Sequence, residues 1–356
     1  MPSHTEILDA AGGWPGILTR LVDGEDLASE VAGAAVAEIL AGDVSPARIA
    51  AFLVGLRAKG ESASELAGML DAVMADAVRV PLAEDLRDAA VDVVGTGGDR
   101  SHSINVSTMA ALVTAGAGVP VCKHGNRAAS SSCGTADVLE ALGVTIELSP
   151  AGVASCVEEA GIGFCFAPAF HPAFRHAGPV RREIGVRTAF NLLGPMANPA
   201  GVRRQLIGVA DPAVADVMVH TLAARGSTHA WVVHGSGLDE LSTTGPSTVT
   251  ELLDGAISRH EVDPVRWGLE RVDAAALVGG GPEVNAAVVR AVLDGEPGPH
   301  RDIVVLNAGA ALVVAGRVDD LGAGLAAAGE SIDSGRAAAA LDRLVEVSGR
   351  VAGGTR

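Results

Sequence analysis

Three stretches of the chain place polar side chains at spacings that suit an anionic substrate. The first is Gly95-Thr96-Gly97-Gly98-Asp99, followed closely by Asn105-Val106-Ser107-Thr108. Glycines let the backbone approach an anion, and a helix opening near Asn105 offers unpaired N–H groups and a positive dipole end. The spacing matches neither G-x-x-x-x-G-K-[ST] nor G-x-G-x-x-G, so it does not predict a common nucleotide cofactor. The second stretch is Lys123, His124, Gly125, Asn126, Arg127, Ala128, Ala129, Ser130, Ser131, Ser132, Cys133, Gly134 and Thr135. There a lysine supplies a mobile point charge, and hydroxyls supply neutral donors for phosphate oxygens. The third is Asp239-Glu240, within HGSGLDEL. Taken singly, these read as a glycine turn, a serine-rich loop and a solvated acidic turn. Together they suit a ligand with two separated anionic groups. Mg²⁺ is typically held by one or two carboxylates plus substrate phosphates, and Ser107 can add a hydroxyl.

The charge distribution supports a small anion. The chain carries a net charge of −17, which argues against broad nucleic-acid or membrane binding. Yet between His171 and Arg204 stand six arginines (Arg175, Arg181, Arg182, Arg187, Arg203, Arg204) against one acid, Glu183. Lys59 and Lys123 are the only lysines, so a compact ammonium beside the second loop is notable. Cys122, Cys133, Cys156 and Cys165 show neither a C-x-x-C pair nor zinc spacing, as expected of reduced, partly buried thiols. The acidic N-terminus lacks the order of a signal peptide, and no apolar run reaches about 18 residues. A cytoplasmic protein is expected.

These loops need elements to hold them. Up to about residue 80 the pattern is helical. Ser45-Pro46 opens one helix that Gly60 stops, and Ser62-x-x-Glu65 forms a capping box for the next. From about residue 90, strand-like runs (AVDVV, VPVC, VTIEL, IGFCF, QLIGV, HAWVVH) alternate with helices. That alternation predicts an α/β fold, with a mainly parallel central sheet and helices on both faces. Both anion loops follow strands, as ligands in open α/β sheets do. The basic segment from His171 to Gly201 interrupts the rhythm and reads as helical.

At GTGGD, NVSTMAA, KHGNRAASS with GTADVLEALG, the run from HPAF to RTAFNLLGP and NPA, and DEL, the sequence resembles the anthranilate phosphoribosyltransferase family over nearly its whole length. The resemblance implies the fold shared with nucleoside phosphorylases: a small helical domain (1–84 with 172–194) and a larger α/β domain (85–171 with 195–350). It implies transfer of phosphoribose from phosphoribosyl pyrophosphate to anthranilate, in tryptophan synthesis. Phosphoribosyl pyrophosphate is then expected against Gly95, Gly98, Asp99, Ser103, Asn105, Val106, Ser107, Thr108, Lys123, His124, Gly125, Asn126, Arg127, Ala128, Ala129, Ser130, Ser131 and Thr135. Anthranilate is expected against Gly95, Asn126 and Arg181, with His124 and His171 along its path. Two Mg²⁺ ions are expected at Ser107, Asp239 and Glu240, and a homodimer through the helical domain. Arg100, Ser103 and Thr135 stand where the family more often has glycine, threonine and serine, and the last two keep the hydroxyl. Two other classes share this architecture. A pyrimidine nucleoside phosphorylase would need neither the acidic pair nor KHGNR, and a nucleic-acid-binding relative would want a strongly basic surface.

Overall fold

The computed structural model describes residues 2–99, 101–128 and 132–353. Arg100, Ala129, Ser130 and Ser131, named above, lie outside the described residues.

The N-terminal part is helical as expected: His4–Ala10, Gly13–Val22, Ser29–Ala41, Pro46–Lys59 and Ala63–Asp76. Pro46 occupies the first turn of its helix, and Gly60 follows the last residue with φ of 90°. Ser62 and Glu65 complete the capping box, and Glu65 also receives Lys59 Nζ at 2.9 Å and Leu27 N at 2.9 Å. A buried carboxylate is tolerable here because both oxygens are paired.

Seven strands form one sheet: β1 (Val91–Gly95), β2 (Val121–Gly125), β3 (Ile162–Phe166), β4 (Arg204–Gly208), β5 (His229–Gly235), β6 (Ser247–Leu253) and β7 (Ala256–Val262). Their order is β3-β2-β1-β4-β5-β6-β7. β1 to β5 are parallel, and β6 and β7 add an antiparallel hairpin. The chain leaves β1 toward β2 and β3, then returns to β4 on the other side. The order therefore reverses between β1 and β4, and open sheets bind ligands outside such a point.

Helices cover both faces. On one side pack Val106–Gly116, Pro299–Val314, Leu321–Asp333 and Arg336–Gly353. On the other lie Ala215–Ala224 and the N-terminal bundle, which shares its apolar core with Val94, Ile207, Val209, Ala230 and Val232 of the sheet. β5 shows the two-residue period directly: Ala230 and Val232 face the bundle, whereas Trp231 and Val233 face the other core.

Two sequence expectations need correction, and one element was not foreseen. VTIEL, expected as a strand, pairs with no strand among the described residues. Val144, Ile146 and Leu148 alternate inward, but the Thr145 amide donates to Ser348 Oγ at 3.1 Å on the C-terminal helix. That backbone amide is taken by a helix side chain instead of a neighbouring strand, and the apolar side of the run lies in the core on that helix's side of the sheet. VPVC is displaced: β2 runs to Gly125, which puts Lys123 and His124 on the strand rather than in the loop. The β6–β7 hairpin was not anticipated. It turns on Asp254-Gly255, with φ of 47° and 86°, the left-handed pair that a two-residue turn requires.

Candidate active site

The sequence-expected loops converge at the carboxyl ends of β1, β2 and β5. β5 ends at Gly235, and the turn after it folds Asp239 between the ends of β1 and β4. A Cβ on Gly95 would stand 2.3 Å from Asp239 Oδ2, and one on Gly208 would stand 1.6 Å from Asp239 O. Only glycine fits at either strand end. The turn is held from behind by Asn307, which is fully buried. Leu241 N donates to Asn307 Oδ1 at 3.0 Å, and Asn307 Nδ2 donates to Leu241 O and Ile303 O, each at 2.8 Å.

From this seat Asp239 Oδ2 accepts the Gly97 amide at 2.7 Å, while Glu240 faces the Ser107 amide. Burial, followed by the nearby Asp99 carboxylate, lifts the Asp239 carboxyl to about 7. Burial and then Asp239 push Glu240 well above the usual range, with Lys123 opposing. Lys123 is itself buried, 2% exposed. Its ammonium donates to Val93 O and, at 3.2 Å, to Ser107 Oγ. Burial lowers its pKa, against the pull of Asp92, Glu240 and Asp239. Asp92, Asp239 and Glu240 thus share one ammonium, and with Asp99 beside Asp239 the crowding of negative charge suits a divalent cation.

The glycine loop turns twice through positive φ, 67° at Gly97 and 77° at Gly98. Asp99 accepts Ser101 Oγ at 2.7 Å, and Ser101 Oγ lies 3.1 Å from Ser103 Oγ. Asn105 ties the loops together, since its amide donates to Cys133 O at 3.2 Å and its oxygen accepts Asn285 Nδ2 at 2.8 Å. Thr108 Oγ1 reaches Thr135 Oγ1 at 3.4 Å. Two expected contacts are not brought into the site by their side chains. Val106 is buried, and its amide goes to Ile104 O at 2.8 Å. The Arg127 guanidinium turns to Asp137 and Glu140, at 3.0 Å and 3.1 Å. Its own amide meets Asn126 Oδ1 at 2.7 Å, and the Ala128 amide goes to Asp137.

On the other side of β2, a row of rings leads toward Arg181. His124 and His171 lie 5.2 Å apart, Phe174 stacks on His171 at 5.1 Å and meets Phe190 edge-on at 5.2 Å, and the Arg181 guanidinium sits 5.3 Å over Phe190. Burial and then His171 push the His124 imidazole down to about 3. Its ring is therefore neutral, with Nδ1 donating to Gly194 O at 3.2 Å and Nε2 without a partner among the described residues. Among the described residues the Arg181 guanidinium makes one weak hydrogen bond, to Asn191 Oδ1 at 3.4 Å, and burial lowers its pKa. Among the described residues no carboxylate pairs with it, which leaves its charge for a ligand.

The comparisons agree with this geometry. A model of the glycosyl transferase family a/b domain matches residues 87–338, and one of that family's helical bundle domain matches residues 15–77. The anthranilate phosphoribosyltransferase of Salinispora arenicola is 52% identical, over 94% of this chain and 96% of its own length. The chain belongs to the anthranilate phosphoribosyltransferase family. The crystal structure of the Thermus thermophilus member superposes with a TM-score of 0.88 at 44% identity, covering 93% of this chain and 99% of that one. The Saccharomyces cerevisiae member, in complex with phosphoribosyl pyrophosphate and Mg, gives 0.86 at 28% identity, covering 95% and 98%. The same yeast enzyme in complex with 4-fluoroanthranilate gives 0.84 at 26% identity, covering 98% and 99%. The family's α/β and helical parts thus account for the sheet and bundle seen here. Gly208, Asn307 and Arg187 (which bonds the glycine loop) also shape this site, and the loop motifs alone did not reveal them. G-V-A after QLI and the lone Asn of NAGAAL were the available signals.

Proposed function

We propose that the chain transfers the 5-phosphoribosyl group of phosphoribosyl pyrophosphate to the amine of anthranilate, giving N-(5-phosphoribosyl)anthranilate and pyrophosphate, a step of L-tryptophan synthesis. The observation that carries this reading is the juxtaposition at one sheet switch point. A glycine-walled acidic pair stands beside the Gly98 and Asp99 amides, and a half-buried arginine that meets no carboxylate among the described residues lies at the end of an aromatic row. The donor's anionic groups belong with the residues from Gly95 to Thr108 and from Lys123 to Thr135. Anthranilate belongs with Gly95, Asn126 and Arg181, along His124 and His171.

Breaking the ribose–pyrophosphate bond builds positive charge on the sugar and negative charge on the leaving group. The amides of Gly98 and Asp99 and the hydroxyls of Ser103 and Ser107 face the negative side, where donors stabilise the transition state without reorganising. Mg²⁺, when bound by Asp239, Glu240 and Ser107, draws charge from the departing pyrophosphate; the proposal takes two ions. The amine of anthranilate is a weak nucleophile, so placement dominates. Arg181 can take its carboxylate in two-pronged geometry, and the ring row excludes water from its path. No acid–base dyad is required. The division into 1–84 with 172–194 and 85–171 with 195–350 belongs to this proposal, supported by the packing of Ala177, Val180, Phe190 and Leu193 into the bundle's core. A homodimer and a cytoplasmic location belong to it also; light scattering at the mass of two chains tests the first.

The deciding assay follows loss of anthranilate fluorescence after mixing protein, phosphoribosyl pyrophosphate and Mg²⁺. Turnover is expected, and EDTA should stop it. Replacing Asp239 with Asn and Glu240 with Gln together should remove most activity while the circular dichroism spectrum is kept. Full turnover in EDTA would sink the metal assignment, and phosphorolysis of thymidine in place of anthranilate consumption would sink the reaction.

A further inference from the structure

The glycine loop is gripped on both sides. On one, the Gly97 amide donates to Asp239 at 2.7 Å. On the other, Arg187 Nη2 donates to Gly98 O and, at 3.4 Å, to Gly97 O. Arg187 is partly buried, and among the described residues no carboxylate pairs with it. Its guanidinium lies so close to the turn that a Cβ on Gly98 would meet Nη2 at 2.9 Å.

A peptide unit is planar and trans, so its C=O and the following N–H point in opposite directions. Drawing the carbonyls of Gly97 and Gly98 toward Arg187 therefore turns the amides of Gly98 and Asp99 the other way. Neither amide has a hydrogen-bond partner among the described residues. A carbonyl turned inward would instead present a negative oxygen to an anionic substrate. We propose that Arg187 is a positioning residue that holds the Gly97 and Gly98 carbonyls out of the site, so that the Gly98 and Asp99 amides stay aimed at the pyrophosphate.

Arg187 does this from the segment between the helices Gly178–Ile184 and Ala189–Met196. The first of these carries Arg181, so the arm that reads the acceptor also sets the donor loop. Nη2 carries two N–H groups on a rigid plane and reaches two successive carbonyls with them, whereas an ammonium rotates on a flexible stem.

The inference rests on the donor and acceptor assigned above. Its test therefore combines steady-state kinetics, each substrate varied in turn, with calorimetric binding of phosphoribosyl pyrophosphate in Mg²⁺ and no acceptor. Arg187→Ala should weaken phosphoribosyl pyrophosphate, in KM and in affinity, by about tenfold to a hundredfold, as expected for a lost charge-assisted contact. The anthranilate KM should move less than threefold. Arg187→Lys should recover part of the loss, and added methylguanidine should partly rescue Arg187→Ala. Arg187→Gln, which keeps a neutral NH₂ donor on a shorter stem, serves if the alanine variant unfolds, and should weaken donor binding at least as much as Arg187→Lys. Donor affinity within twofold of the parent in Arg187→Ala or Arg187→Gln overturns the inference, as does an equal rise in both KM values. An inactive parent would instead defeat the assigned reaction, and calorimetry would still decide Arg187.

Discussion

Arg181 and Lys123 were both picked from sequence as cations for the substrate, yet the structure gives them different surroundings and so different expected phenotypes. Arg181 meets no carboxylate among the described residues and lies over Phe190. Arg181→Ala should cost about 2–5 kcal/mol of anthranilate recognition, as a partly desolvated charge contact does. It should appear in the anthranilate KM and kcat/KM, with phosphoribosyl pyrophosphate binding kept, and Arg181→Lys should recover only part. Steady-state kinetics within twofold of the parent would move the carboxylate to another arginine of the island. Lys123 is buried beneath the loop, against Val93 O and Ser107 Oγ, and faces the acidic pair. Lys123→Ala should raise the phosphoribosyl pyrophosphate KM about tenfold to a hundredfold. It should leave Mg²⁺ affinity undiminished, because the carboxylates lose a competing cation. A Mg²⁺ titration at saturating substrates separates that outcome from general damage to the site. Residue types at the loops were legible because few side chains can meet an anion or hold Mg²⁺. Gly208 was not, since what forbids its Cβ is Asp239 O, which lies 31 positions along the chain and is brought there only by β5.

The elements show why local pattern succeeds in some places and fails in others. The helix start at Ser62 was legible because the cap is made within the first turn, where the Glu65 amide donates to Ser62 Oγ at 3.3 Å. VTIEL carries the same alternation as a strand, but alternation reports only that one side is covered, not what covers it. At β6–β7 the Asp-Gly turn was a short-range signal, and it went unread because the alternating α/β rhythm earlier in the chain led the assignment. The helix Pro299–Val314 illustrates positioning at a distance. From its buried middle, Asn307 clamps both backbone groups of Leu241, next to the acidic pair. Asn307→Ala would strand those groups at about 1–3 kcal/mol each, so a lower melting temperature is expected. The Mg²⁺ concentration for half-maximal activity should rise with it, because the turn holding Asp239 and Glu240 loosens. Ile332→Val, equally buried in the adjoining helix Leu321–Asp333, should lower stability alone. Equal Mg²⁺ requirements in the two variants would mean that Asn307 serves packing only.

At the scale of the whole molecule, the helical bundle and the sheet are matched by separate family models but do not have separate cores. Bundle side chains such as Ile17, Phe52 and Leu66 belong to one apolar cluster with Val94 and Ile207 of the sheet and with Met218 and Leu222 of the helix Ala215–Ala224. Burial across that cluster stabilises bundle and sheet jointly, at about 25 cal/mol per Å² of apolar surface, so neither part should unfold while the other stays native. Two tryptophans make this measurable. Trp14 lies in the bundle, edge-on to Phe52 at 5.8 Å. Trp231 lies on β5, facing the opposite core and bonded to Glu251 at 2.8 Å. In a Trp267→Phe background, Trp14→Phe leaves only the sheet to report, and Trp231→Phe only the bundle. Adding Phe52→Leu to each should lower both midpoints in urea by the same free energy, roughly 1–2 kcal/mol for a partial truncation of a buried ring. Coincident transitions by the two probes are the signature of one cooperative unit. Should Phe52→Leu shift the Trp14 midpoint and leave the Trp231 midpoint in place, the bundle is an independent folding unit and the shared cluster does not couple it to the sheet.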